Sequence, residues 1–149
     1  MMPTLPLPRR QILAWGLITT TPGWAQGSAM GAAIRLYTQG RTVQAGRVRL
    51  EVAELVDNGN AVPVTLGVDL PPGSALQVQG LALFNERNPQ PEVVEFEVGP
   101  GLARPQVATR IRLATSQKLV AVARLSDGSC WSHSVDVVVT LAACIEGDA

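Results

Sequence analysis

The sequence predicts an all-β protein: an immunoglobulin-like antiparallel β-sandwich of about seven strands, preceded by one short N-terminal helix. Three observations carry this prediction. Apolar residues recur with a period of two in a series of short runs. Clusters of Gly, Pro, Asn, Asp and Ser separate those runs. Hydrophobic residues make up 46% and charged residues 16%, which is enough to build a core and too apolar for a disordered chain. A closed barrel is the alternative arrangement of the same strands.

The elements follow in order. Residues 28–39 place Met30, Ala33, Ile34 and Tyr37 at helical spacing, and Gly40 can end the helix. In 47–52, Val48, Leu50 and Val52 alternate with Arg47, Arg49 and Glu51. In 62–68, Val62, Val64, Leu66 and Val68 share a face. Leu81 and Leu83 do so in 81–84, as do Val94, Phe96 and Val98 in 94–98. In 107–113, Val107, Thr109, Ile111 and Leu113 oppose Arg110 and Arg112. Residues 119–125 form a nearly continuous apolar run. In 131–141, Trp131, His133, Val135, Val137, Val139 and Leu141 fall on one side. The turns are Asp57-Asn58-Gly59-Asn60, Pro71-Pro72-Gly73, Asn88-Pro89, Gly99-Pro100-Gly101 and Ser126-Asp127-Gly128-Ser129.

Composition excludes several classes of function. A chain of 149 residues is one domain. Its 12 basic and 12 acidic residues balance, and it has no basic run, so nucleic acid is not the expected partner. No stretch reaches the ~18 apolar residues of a membrane helix. Two cysteines and one histidine cannot complete a four-ligand zinc site. The sequence has no Gly-rich phosphate loop, dinucleotide fingerprint or HExxH motif. The expectation is a protein that is not an enzyme and holds no metal or cofactor.

Residues 1–25 read as an export signal. Arg9 and Arg10 form the positive region, residues 12–20 a short apolar stretch, and Gly23-Trp24-Ala25 a cleavage site. The paired arginines point to the twin-arginine route, with an ordinary secretory signal as the alternative. The expected location is the periplasm. Cleavage leaves ten basic and twelve acidic residues, a net charge of −2. The remaining chain divides into a sandwich domain, 26–141, and a C-terminal arm, 142–149.

Few side chains are candidates for chemistry. His133 lies among Ser126, Ser129, Ser132 and Ser134, but its parity is that of Val135 and Val137, which predicts a packed or hydrogen-bonded histidine. Glu95 and Glu97 are expected on a solvated strand face, and Asp127 in a hairpin turn. Cys130 has the parity of Ser132 and Ser134, which predicts a position near a turn on the more polar face and a structural or incidental role. Cys130 and Cys144 do not suit a mutual disulfide. A strand over 130–141 spans roughly 36 Å at ~3.3 Å per residue. The residues from Leu141 to Cys144 can return only about 10 Å, and bridged Cα atoms lie within about 7 Å. Cys144 follows the last strand. A thiol there can be offered to another protein, can carry a covalent group, or can be without consequence.

Several ordered motifs resemble SoxY, the carrier family of thiosulfate oxidation. They are residues 54–64 (Glu-Leu-Val-Asp-Asn-Gly-Asn-Ala-Val-Pro-Val), residues 84–93 (Phe-Asn-Glu-Arg-Asn-Pro-Gln-Pro-Glu-Val), residues 108–114 through 120–123, and the turn at 126–129. The similarity covers roughly residues 30–144. It implies an immunoglobulin-like sandwich that pairs with a SoxZ-like protein as a heterodimer. It also implies service to periplasmic sulfur-oxidation enzymes, cytochrome-containing ones included. The family's sulfur-holding thiol falls on Cys144. The arm departs from the family's Gly-Gly-Cys-Gly-Gly: here Ala142, Ala143, Cys144, Ile145 and Glu146 give an Ala-Ala-Cys-Ile-Glu arm, similar to a SoxY-related variant group. Glycines make an arm slim and pliant; this one is wider and stiffer, and Glu146 disfavours the thiolate. The departure points to a different reading enzyme or a different sulfur species.

The expected function is therefore a carrier with Cys144 as the covalent attachment point. The alternative is a non-catalytic interaction module of a periplasmic redox complex in which Cys144 holds no cargo.

Overall fold

The computed structural model describes residues 28–141. The expected export signal with Arg9 and Arg10, and the expected arm with Cys144, lie outside the described residues. The order is α1 (Ala29–Tyr37), β1 (Val43–Ala45), β2 (Val48–Glu51), β3 (Leu55–Val56), β4 (Val62–Val68), β5 (Val78–Asn85), β6 (Glu92–Glu97), β7 (Gln106–Ile111), β8 (Gln117–Leu125) and β9 (Cys130–Val139).

Helix α1 begins at Ser28, whose hydroxyl accepts from the Gly31 N–H at 3.0 Å, as an N-cap should. It ends at Thr38, and the chain leaves through Gln39 and Gly40 in the left-handed region, φ 55° and 75°. Met30, Ile34 and Tyr37 are buried, the stripe the spacing predicts.

Two sheets form an open sandwich. One has the order β1-β9-β8-β5-β6, with β3 also on β9; the other is β2-β4-β7. The alternating runs 62–68 and 47–52 turn Val62, Val64, Leu66, Val68, Val48 and Leu50 inward, where they meet Leu81, Leu83, Leu119, Ala121 and Ala123. The central strands β5 and β8 are buried on both faces, which accounts for the continuous apolar run. Their other face, Ala82, Phe84, Val120 and Val122, packs under α1 with Met30, Ile34 and Tyr37.

The seven long strands pair antiparallel wherever they pair with one another. The structure adds two short strands to the expected seven. Both run parallel to β9: β1 along Cys130–Ser132 and β3 along Val138–Val139. Two or three residues carry too little periodicity to be read from sequence, and β9 supplies their register.

The second core under α1 corrects the placement of Cys130. Its side of β9 was expected to be polar, yet Cys130 is fully buried and Ser132 is 5% exposed. Cys130 is paired with Arg124 on β8 and Val43 on β1, on the face that α1 covers. Leu141, expected on the buried side of a longer strand, lies beyond the end of β9 and is 61% exposed.

Candidate functional site

The site of interest is the end of β9, where the described residues stop at Leu141, just before the expected arm. The β8–β9 ladder ends at Gln117 opposite Val137. Beyond it, Ser116 takes over with its side chain. Its Oγ accepts from the Val139 N–H at 2.8 Å and donates to the Val139 carbonyl at 3.4 Å.

On the other edge of β9 the segment 54–59 forms a rail. The Val138 N–H donates to the Glu54 carbonyl at 2.7 Å and the Thr140 N–H to the Val56 carbonyl at 3.0 Å. The Thr140 hydroxyl donates to the Asp57 carbonyl at 3.1 Å. The Gly59 N–H donates to the Leu141 carbonyl at 2.8 Å, while the Gly59 carbonyl accepts from Leu113. The Asp-Asn-Gly-Asn turn is itself closed by Asn58, whose side-chain oxygen accepts from the Asn60 N–H at 2.9 Å. The chain is thus held on both sides at Val139 and on one side as far as Leu141.

The Asn-Pro-x-Pro loop stands beside this exit. The Asn88 side-chain oxygen accepts from Ala114 N–H at 3.0 Å and from Gln117 Nε2 at 2.7 Å, and its amide donates to the Arg112 carbonyl at 2.8 Å. Gln117, 5% exposed, accepts from the Arg87 N–H at 2.9 Å. Asn85, buried, accepts from the Asn88 N–H and donates to the Gln90 carbonyl. These bonds satisfy the buried amides and fix the segment that carries Ser116. Around the exit, Leu55, Val138 and Leu141 are more than half exposed. Sequence reading missed Ser116, Asn88 and Gln117 as parts of a site, because bonds between distant loops leave no periodic signal.

The other candidates fall elsewhere. Cys130 and the arm root stand at opposite ends of β9, which runs unbroken from Cys130 to Val139. Burial pushes the Cys130 thiol pKa up, against the lowering influence of Arg41 and Arg124. The Nδ1 of His133 accepts from the Leu50 N–H at 3.0 Å, the hydrogen-bonded role its parity predicts.

Glu97 and Glu95 are not merely solvated: Arg124 Nη2 meets them at 2.6 and 3.6 Å. Arg124 also stacks over the Tyr37 ring at 4.4 Å. Desolvation, then repulsion from Glu92, raises the pKa of Glu95. Burial likewise raises that of the Tyr37 hydroxyl. Asp127 sits in the β8–β9 hairpin as expected, accepting from the Ser129 hydroxyl at 2.6 Å and the Ser129 N–H at 2.9 Å. Among the described residues, no group of three or more His, Cys, Asp or Glu is placed to hold a metal ion, and no helix is long and apolar enough to cross a membrane.

Comparison with known structures supports the fold. The chain is similar to superoxide reductase (neelaredoxin) from Ignicoccus hospitalis, with 21% identity and a TM-score of 0.54 over 63% of this chain and 80% of that one. It is similar to superoxide reductase from Nanoarchaeum equitans, with 13% identity and a TM-score of 0.53 over 64% of this chain and 100% of that one. At these identities the likeness shows the fold alone. A search of curated proteins gave no match. The family of the sulfur oxidation protein SoxY matches residues 34–144, a span that takes in the 54–60 rail, the Asn88 loop, Ser116 and the whole of β9. This chain belongs to the SoxY family of sulfur-oxidation proteins.

Proposed function

We propose that this protein is a periplasmic carrier that holds a sulfur compound covalently on Cys144 and presents it to partner enzymes. The observation that carries the reading is the extent of the family match, which continues past the last clamped residue, Leu141, to residue 144. A thiol on an arm with a fixed origin suits a substrate that several enzymes handle in turn.

The chemistry sets a condition on the partners. Joining a thiol to the sulfane sulfur of thiosulfate forms an S–S bond, releases the thiol proton and yields two electrons. A partner redox enzyme of the periplasm takes those electrons. Ala142, Ala143, Ile145 and Glu146 make the arm broader than a glycine arm, so the reading enzyme needs a wider channel or a different sulfur cargo. A SoxZ-like chain is the proposed heterodimer partner, and Arg9 and Arg10 would route the precursor for export.

The test is the intact mass of protein recovered from the native periplasm, before and after incubation with thiosulfate or sulfide and the cognate oxidising enzymes. An adduct on Cys144 is expected. A mass that stays that of the bare thiol throughout would falsify the carrier.

The exposed Leu55, Val138 and Leu141 favour a second reading, an interaction module in which the arm holds no cargo. Cys144→Ser separates the two. A carrier loses pathway activity and keeps its partner; an interaction module keeps both.

A further inference from the structure

We propose that Ser116 is a positioning residue for the arm, and that Asn88 of the Asn-Pro-x-Pro loop holds Ser116 in place. The inference rests on the carrier reading and adds a part to it. A carrier arm works if its origin and its direction of departure are fixed, because the thiol must enter a site on another protein. Among the described residues, those that hold the end of β9 are on the sandwich.

The geometry at the exit is unequal on the two edges of β9. The 54–59 side is a backbone rail, with carbonyls of Glu54 and Val56 accepting from Val138 and Thr140. The Ser116 side is a single hydroxyl that engages both backbone groups of Val139, at 2.8 and 3.4 Å. Past Gln117, Ser116 extends the β8–β9 pairing with a side chain in place of main chain. Removing that hydroxyl frees one edge of the exit without touching the ladder.

Ser116 is placed in turn by Asn88. One side-chain oxygen gathers Ala114 N–H and Gln117 Nε2, the residues that bracket Thr115 and Ser116. The Asn88 amide closes the same segment through the Arg112 carbonyl. The path from the loop to the arm therefore runs Asn88, then residues 114–117, then the Ser116 hydroxyl, then Val139. The first and last links are hydrogen bonds of 2.7 to 3.0 Å, and the main chain of 114–117 joins them.

The experiment compares the wild-type mature chain with Ser116→Ala and Ser116→Thr, the latter keeping the hydroxyl. The first readout is amide hydrogen exchange at Val139, which does not depend on cargo. Exchange is expected to be roughly ten-fold faster in Ser116→Ala and largely restored in Ser116→Thr, while the centre of β8 keeps its protection in both. The second readout is the rate of adduct formation on Cys144, by intact mass, with thiosulfate and in parallel with sulfide in periplasmic extract. It is expected to fall several-fold in Ser116→Ala and recover in Ser116→Thr.

Unchanged exchange at Val139 in Ser116→Ala overturns the clamp. Faster exchange with unchanged loading overturns the positioning role while leaving the carrier intact. A wild-type chain that takes no adduct removes the carrier reading itself, and the positioning role with it.

Discussion

The Leu50 N–H donates to Nδ1 of His133 at 3.0 Å, a side-chain bond between β2 of one sheet and β9 of the other. His133 lies in the stretch of β9 between the residues that β1 pairs, 130–132, and those that β3 pairs, 138–139. The imidazole thus gives an edge strand an acceptor it would otherwise lack.

Substituting His133→Ala is expected to destabilise the fold by about 1 kcal/mol, the ordinary net worth of one such bond. His133→Gln, which keeps an acceptor, should recover part of it. The measurement is the urea midpoint at constant m-value. A His133→Ala midpoint equal to that of wild type would show that water satisfies the Leu50 amide equally well.

Gly80 on β5 marks a second tight contact. A Cβ there would lie 2.7 Å from the Tyr37 hydroxyl and 2.8 Å from Arg124 Nη2. Arg124 can swing away, but Tyr37, the last residue of α1, is buried and edge-on to Phe84 at 5.7 Å. Gly80→Ala is therefore expected to cost about 1–3 kcal/mol through overpacking. Repeating it in an Arg124→Ala background should reduce the cost, since one of the two obstacles is gone. Equal costs in both backgrounds would place the strain on Tyr37 alone.

The long elements were legible in the sequence because their burial is one-sided and regular. Val62, Val64, Leu66 and Val68 needed only the period of two, and Met30, Ile34 and Tyr37 only the helical spacing. The failures have one physical source: contacts between segments far apart in the chain. Cys130 was expected on a polar face because sequence does not show that α1, a hundred residues earlier, covers that face. Leu55–Val56 is a strand only because β9 lies beside it. Asn88 was visible as a motif, but not as the residue that holds Ala114 and Gln117. The proposal of an arm thiol rests on family resemblance, while the hydrogen bonds at Val139 required the three-dimensional fold.

Asp127 gives the pH dependence a defined sign. Hydrogen bonds from the Ser129 hydroxyl and N–H hold its carboxyl below the usual carboxylate range. A depressed folded-state pKa contributes stability above the unfolded value of about 4, and that contribution fades as pH falls through the folded value. Asp127→Asn keeps an acceptor for Ser129 but removes the titration. The variant is expected to lose less stability than wild type as the pH falls below about 4. Urea midpoints across that range check it; parallel curves for the two proteins would assign the acid sensitivity to other carboxylates.

The two thiols should differ sharply in reactivity. Cys130 is fully buried, and its thiol pKa is pushed up by desolvation, so both access and thiolate content oppose reaction. Cys144 lies outside the described residues, three positions after Leu141 in sequence, and Leu141 is 61% exposed. Native mature protein, freshly reduced, should therefore take up one equivalent of iodoacetamide, and peptide mapping should locate it on Cys144. Unfolding in guanidinium should expose Cys130 and bring the total to two. Because labelling of the buried Cys130 requires opening of the fold around it, its rate should also rise in variants that destabilise the fold, such as Met30→Ala, while the Cys144 rate stays constant. Rapid labelling of Cys130 in the native state would contradict its burial; slow labelling of Cys144 would mean that the arm thiol is shielded or already carries a group, which reduction followed by intact mass distinguishes.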